Sequence, residues 1–153
     1  VSKDPVIFSH SNPRAICEHS RNIRDDQIQA CAASGGVIGI TGVSLFLGDH
    51  QASTNSVIDN IKYISDLVGP QHVGLGLDYI ADQQALAQKI DSMTAWTPPG
   101  DAFEFQPQET VKYFQPEQLP ELTETLLKCN YSESDIRGFL GENWLRVANQ
   151  VWK

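Results

Sequence analysis

Positive charge is in short supply in this chain. Eleven Lys and Arg stand against 19 Asp and Glu, a formal charge of −8 over 153 residues. A nucleic-acid partner requires a basic face that displaces counterions from phosphates, and no stretch of the sequence supplies one. Cysteine is also scarce. Cys17, Cys31 and Cys129 lie far apart, form no Cys-x-x-Cys pair and are odd in number, so no disulfide framework is indicated and reduced thiols are expected. No run approaches the roughly 20 apolar residues of a membrane span. Neither a signal peptide nor an initiator Met opens the chain, which passes from Val1-Ser2-Lys3-Asp4-Pro5 straight into an apolar run, as part of a longer polypeptide would. His-Glu-x-x-His and Cys/His zinc clusters are absent. Gly74-Leu75-Gly76-Leu77-Asp78 has two glycines at nucleotide-loop spacing but no third, and both fall inside a strand pattern, which sets a dinucleotide site aside.

What is present is enough for one hydrophobic core, with 41% hydrophobic residues, so a single domain is expected. The first half repeats one unit. Val6, Ile7 and Phe8 form an unbroken apolar run, which predicts a strand reaching His10 and covered on both faces. A helix follows from Asp25 to Ala33, with Ile28 and Cys31 at helical spacing, Asn22 as a possible N-cap and Gly35-Gly36 as the stop. Val37 to Ile40 reads as a second buried strand ending in Thr41-Gly42, before a loop carrying Leu45, Phe46 and Leu47. Thr54 is placed to cap a helix in which Val57, Ile58, Ile61, Ile64, Leu67 and Val68 recur at three and four residues, closed by Gly69-Pro70. Val73 to Leu77 is the third strand, with Asp78 immediately beyond. Strands and helices alternating at about 30-residue spacing predict parallel strands joined by right-handed crossovers.

In parallel α/β folds the site forms at the carboxyl ends of the strands. Those ends present His10, Thr41 and Asp78, and Arg14, His19 and Arg21 follow His10 in a polar loop, so a possible metal ligand and possible anion binders gather there. Each also has an ordinary structural reading: His10 hydrogen-bonded into a core, Thr41 in a turn, Asp78 capping the next helix. Two ionisable groups at equivalent strand ends, with Arg21 close behind one, favour a site. Ser9 and Ser11 flank His10, but strand neighbours point to opposite faces, so neither is expected to couple with its ring. His19 fits an exposed loop position, His50 the surface and His72 a strand start.

After Asp78 the pattern changes. Asp82 to Ile90 suits a helix, and residues 92–120 are rich in Pro, Gln and aromatics, including Trp96, Phe103, Phe105, Tyr113 and Phe114. A connection this long is usually functional or disordered, and the aromatics favour an ordered, lid-like excursion, the alternative being a packed cover without substrate contact. Helices return at Pro120 to Leu127. Ser132-Glu133-Ser134-Asp135 forms a capping-box pattern ahead of Ile136, Phe139 and Leu140. Asn143 to Trp152 reads as a terminal helix docked on the core, with Trp144 and Trp152 as core residues.

Pro5-Val6-Ile7-Phe8-Ser9-His10-Ser11-Asn12, Arg21-Asn22, Gly36-Val37-Ile38-Gly39, His72-Val73-Gly74-Leu75-Gly76-Leu77-Asp78, Tyr131-Ser132 and Gly141-Glu142-Asn143-Trp144-Leu145-Arg146-Val147 together resemble the membrane (renal) dipeptidase family of zinc peptidases, family M19. The resemblance runs over nearly the whole chain and is to the C-terminal part of that family. It implies an α/β fold: about three βα units, strands six to eight, of a (β/α)8 TIM-type barrel, plus C-terminal helices, with residues 1–153 as the C-terminal portion of one barrel domain. A complete barrel takes about 250 residues. By the same resemblance His10 corresponds to a metal-ligating histidine. Arg21 corresponds to the arginine that binds the substrate's terminal carboxylate, a task suited to a guanidinium fork, and Asp78 to an aspartate that contacts substrate and serves proton transfer.

The implied reaction is zinc-dependent hydrolysis of dipeptides, with two zinc ions in the full-length family. The His-x-Asp pair, bridging Glu and second histidine of that family are not in these residues, so this chain alone cannot complete the site and is expected to be inactive without the missing N-terminal half of the barrel. Asp78-Tyr79-Ile80-Ala81 departs from the Asp-Phe-Asp-Gly of many relatives, which bears on substrate range. An alternative is a catalytically incompetent fragment or degenerate relative acting as a binding module through exposed sheet edges; another is a small open α/β domain unrelated to peptidases. A homo-oligomer is compatible with these readings. The compartment is left open, with a bacterial cytoplasm or periplasm as the expectation.

Overall fold

Two helical periodicities and three short extended segments build the fold, which the computed structural model describes over residues 2–82 and 111–152. Helix α1 (Asp25–Ala33) buries Ile28 and Cys31 and carries Asp25 and Asp26 in its first turn, where carboxylates suit the helix dipole. Its N-cap is Arg24, whose N–H donates to Gln27 Oε1 at 3.0 Å. Asn22, expected as the cap, is held elsewhere by its amide. Helix α3 (Thr54–Val68) follows a one-turn helix α2 (Ser44–Leu47) where the sequence indicated a loop. Val57, Ile58, Ile61 and Ile64 of α3 are buried at the expected spacing, and the cap is Ser53, one residue before Thr54, because its Oγ accepts from Ser56 N–H at 3.3 Å. Thr54 Oγ1 instead donates to Glu121 Oε2 at 2.9 Å.

Strands β1 (Ile38–Ile40) and β2 (Val73–Leu75) pair in parallel, with Ile38 opposite Val73, Gly39 opposite Gly74 and Ile40 opposite Leu75. The first apolar segment runs along the other edge of β1. Phe8 bridges Ile38 in parallel, and Ser11 N–H donates to Gly39 O at 2.8 Å. The three segments therefore lie side by side in chain order, as the spacing predicts. The first is not covered on both faces: Val6 and Ile7 are 46% and 45% exposed. The physical reason is that its pairing is a single bridge, and among the described residues no strand pairs with its outer edge.

Side chains alternate across a sheet. On one face Ile38, Ile40 and Val73 are wholly buried in a core shared with Ile28, Ile61 and Ile64. Gly39 and Gly74 face the other way, and the volume that a side chain at either would need holds the Trp144 indole. Trp144 belongs to the terminal helix α6 (Asn143–Val151), which comes after α4 (Leu119–Lys128), α5 (Glu133–Arg137) and a π-type turn at Gly138–Glu142. The capping box is present, Ser132 Oγ accepting from Asp135 N–H at 3.1 Å. Asn143 Nδ2 donates to Val73 O at 2.7 Å, and Trp144 Nε1 to Leu75 O at 3.1 Å, so α6 is docked on β2 through its first turn. Trp152 is 80% exposed, contrary to its expected place in the core, because it lies past the helix end in extended backbone.

The helix expected over Asp82 to Ile90 and most of the 92–120 excursion lie outside the described residues. Its described end is packed: Tyr113 bridges Val43 antiparallel, and Phe114 is wholly buried. Among the described residues no helix is long and apolar enough to cross a membrane.

Candidate active site

The carboxyl ends of the three extended segments are tied by one buried amide. Asn12 accepts from Thr41 N–H at 3.1 Å through Oδ1 and donates to Thr41 O at 3.2 Å through Nδ2, so its side chain acts as a rung between two strand ends. Gly42 N–H then donates to Leu77 O at 3.0 Å, joining the second end to the third. Thr41 is buried and accepts from Val43 N–H at 3.4 Å, the turn role rather than an exposed one.

His10 sits half-buried on the rim of this platform. Its Nδ1 lies 2.7 Å from Ser9 Oγ, and its Nε2 lies 3.4 Å from an Arg21 guanidinium nitrogen. The Ser9 contact overturns the expectation that strand alternation separates the two side chains. Regular pairing ends at Phe8 and the backbone bends at Ser9 and His10, so alternation no longer applies. A guanidinium only donates, so Nε2 is the accepting nitrogen and Nδ1–H points at the Ser9 hydroxyl. The Ser9 carbonyl also fills the space over Gly76, bringing the His10 backbone across the sheet to within two residues of Asp78.

Arg21 and His10 are therefore brought together, eleven positions apart in the chain. The Arg21 guanidinium lies over the Phe46 ring, 5.7 Å from its centroid, and its backbone N–H donates to His19 Nδ1 at 3.1 Å. His19 is half-buried, not a free loop residue, and meets the same Phe46 ring edge-on at 4.7 Å. Burial first and the Arg21 charge second lower the His19 pKa. Asp78 is exposed, and its backbone is left-handed at φ 55°, a conformation that Asp tolerates better than most residues. Its charge acts on Tyr113, whose phenol is pushed up mainly by burial and then by Asp78. Arg14 is turned outward and pairs with Glu18 at 3.4 Å, both exposed.

Ser9, Asn12, Phe46 and Tyr113 were not indicated as site residues by the sequence. Asn12 carried a signal in being polar where an apolar strand ends. Phe46 carried one as a lone aromatic in the short stretch after a strand end. As a metal site, the donor set is incomplete. His10 presents one imidazole nitrogen in the tautomer that leaves Nε2 accepting, but no group of three His, Cys, Asp or Glu able to hold a metal ion occurs among the described residues. One ligand fits; the rest of a coordination shell does not come from these residues.

Comparison with known proteins bears on this arrangement. The model of the membrane dipeptidase family, peptidase family M19, matches residues 1–94. The dipeptidase aclJ of Aspergillus oryzae is 32% identical over 154 residues, covering 99% of this chain and 31% of that protein. A crystal structure of an amidohydrolase from Pseudomonas aeruginosa superposes with a TM-score of 0.78 at 30% identity, over 99% of this chain and 47% of that one. A metallopeptidase from Rhodobacter sphaeroides, liganded with a phosphinate mimic of the dipeptide L-Ala-D-Ala, shares the fold with a TM-score of 0.70 at 24% identity, over 99% of this chain and 37% of that one. The chain thus spans less than half the length of each of these relatives.

Proposed function

The chain belongs to the membrane dipeptidase family, and from that premise we propose that it takes part in metal-dependent hydrolysis of dipeptides as the C-terminal part, strands six to eight, of a (β/α)8 barrel. The observation that carries the reading is the convergence of His10 and Arg21, 3.4 Å apart, at the carboxyl ends of parallel segments. An imidazole nitrogen and a guanidinium fork at one strand end are what a substrate with a scissile amide and a free carboxylate requires.

In this reading His10 Nε2 is one ligand of a zinc site whose other ligands lie on the N-terminal half of the barrel, and Ser9 Oγ holds the imidazole in the ligating tautomer. Zinc, when bound, would lower the pKa of a water so that it gives up a proton near neutral pH and can attack an amide carbonyl. With Nε2 given to the metal, the Arg21 guanidinium would be released from His10 and, still over the Phe46 ring, bind the substrate carboxylate through two parallel N–H bonds. The Asp78 carboxylate, exposed at the third strand end, takes up a proton and delivers it to the nitrogen of the leaving amine. The Asp78 charge is felt by the Tyr113 phenol, which ties the described end of the aromatic excursion to that step.

The test is the intact mass of the source polypeptide together with its zinc content. A mass well above 16.9 kDa, close to two zinc ions per molecule and a clear fall in bound zinc on His10→Ala are expected. A mass equal to this chain with no bound zinc would instead support a binding module that has inherited site residues without catalysis.

A further inference from the structure

We propose that Phe46 is the positioning residue for the Arg21 guanidinium, so that it governs affinity for substrates with a free carboxyl terminus; this rests on the carboxylate role proposed above for Arg21. An arginine on a polar loop has many rotamers, and ordering it on binding offsets part of the affinity its two hydrogen bonds bring. Phe46 reduces that cost before substrate arrives. Its ring lies under the guanidinium at 5.7 Å, within cation–π range. The ring is braced by the edge-on His19 imidazole at 4.7 Å, and His19 Nδ1 in turn accepts the Arg21 backbone N–H, so side chain and backbone of Arg21 are referred to the same aromatic.

The backbone of Phe46 is fixed as tightly as its ring is used. Its carbonyl accepts from Asn12 Nδ2 at 3.0 Å and from Asn22 Nδ2 at 2.9 Å. Both amides are buried, at 0% and 5% exposure, and a buried amide without its partner is costly. Asn12 is also the rung between the first two strand ends, so the position of the Phe46 ring is set by the same side chain that sets the platform. Phe46 itself is only half-buried while its neighbour Leu47 is in the core. Core filling therefore does not account for an aromatic here, whereas a platform for a cation does.

The experiment is a double-mutant cycle in the intact source polypeptide, read as separate KM and kcat values on a dipeptide and on the same dipeptide amidated at its carboxyl terminus. Phe46→Leu is expected to raise KM for the free dipeptide about 2-fold to 5-fold, the range of one exposed cation–π contact, with kcat changed by less than about 1.5-fold. Phe46→Trp restores KM, the amidated dipeptide abolishes the difference, and Phe46→Leu adds nothing to Arg21→Ala. Unchanged KM in Phe46→Leu beside raised KM in Arg21→Ala overturns the positioning role and leaves the carboxylate role standing. Additive losses also overturn it, as does failure of Trp to restore KM in a variant that keeps the wild-type melting temperature. Unchanged KM in Arg21→Ala overturns the carboxylate role and the positioning role with it.

Discussion

At the scale of the residue, His19 reports on the surroundings of Arg21. Burial and then the neighbouring guanidinium hold its imidazole below the ordinary histidine value of 6.5. The folded state thus binds its proton less readily than the unfolded chain. The corresponding stability is complete above pH 6.5 and is lost as pH falls through the lower folded value. Proton NMR of the ring should give a midpoint below 6.5. Arg21→Ala should raise that midpoint without bringing it to 6.5, because burial, the larger cause, remains. A native midpoint at or above 6.5 would contradict the geometry of this loop. His10 and Arg21 were legible in the sequence as candidates gathered at one strand end; that the guanidinium touches Nε2 itself was not, since the conformation of the loop decides it. Ser9 shows the limit of the alternation rule, which holds only while the backbone stays extended.

At the scale of the element, α1 and α3 were legible almost to the residue because their apolar spacing and closing glycines are local signals. Caps were harder: Ser53 wins over Thr54 because its Oγ reaches a free N–H, while Arg24 stands at the head of α1 with no side-chain cap bond, its own N–H held by Gln27 Oε1, and spacing encodes neither. The reason for Gly74 was not legible at all, since it is an indole seventy residues further along, and Gly39 is closed off by the Ser9 carbonyl as well as by that indole. A methyl on Gly74 would collide with Trp144 Nε1 and come within 2.8 Å of Trp144 Cε2. A stiff ring docked by Trp144 Nε1–H to Leu75 O has little room to yield. Gly74→Ala should therefore cost about 1–3 kcal/mol, the range for overpacking, with a change in tryptophan emission, both read from a denaturant titration. Wild-type stability and emission would mean that α6 docks on β2 by another contact.

At the scale of the whole molecule, the exposed edge and the incomplete donor set describe the same thing. Val6 and Ile7 stand 46% and 45% exposed close to His10, and the chain accounts for 31% of the length of the dipeptidase aclJ and 47% of that of the amidohydrolase. If these segments are strands six to eight of a barrel, strand five covers that edge in the intact protein, and Ile7 is buried there. Ile7→Lys separates the cases. In the 153-residue chain alone the change falls on an exposed edge, so stability should move by no more than about 0.5 kcal/mol, as at other surface sites, and self-association should fall, since a charge on an edge strand opposes pairing with another copy. In the intact source polypeptide the same lysine must be forced into a covered site, losing about 1.5–3 kcal/mol of apolar burial before any charge penalty. Urea unfolding of both proteins, with sedimentation of the shorter one, reads the difference. An equal and small effect in both would mean that the edge stays open in the intact protein and that no strand five lies against it, which would remove the barrel and return the chain to a small open α/β domain.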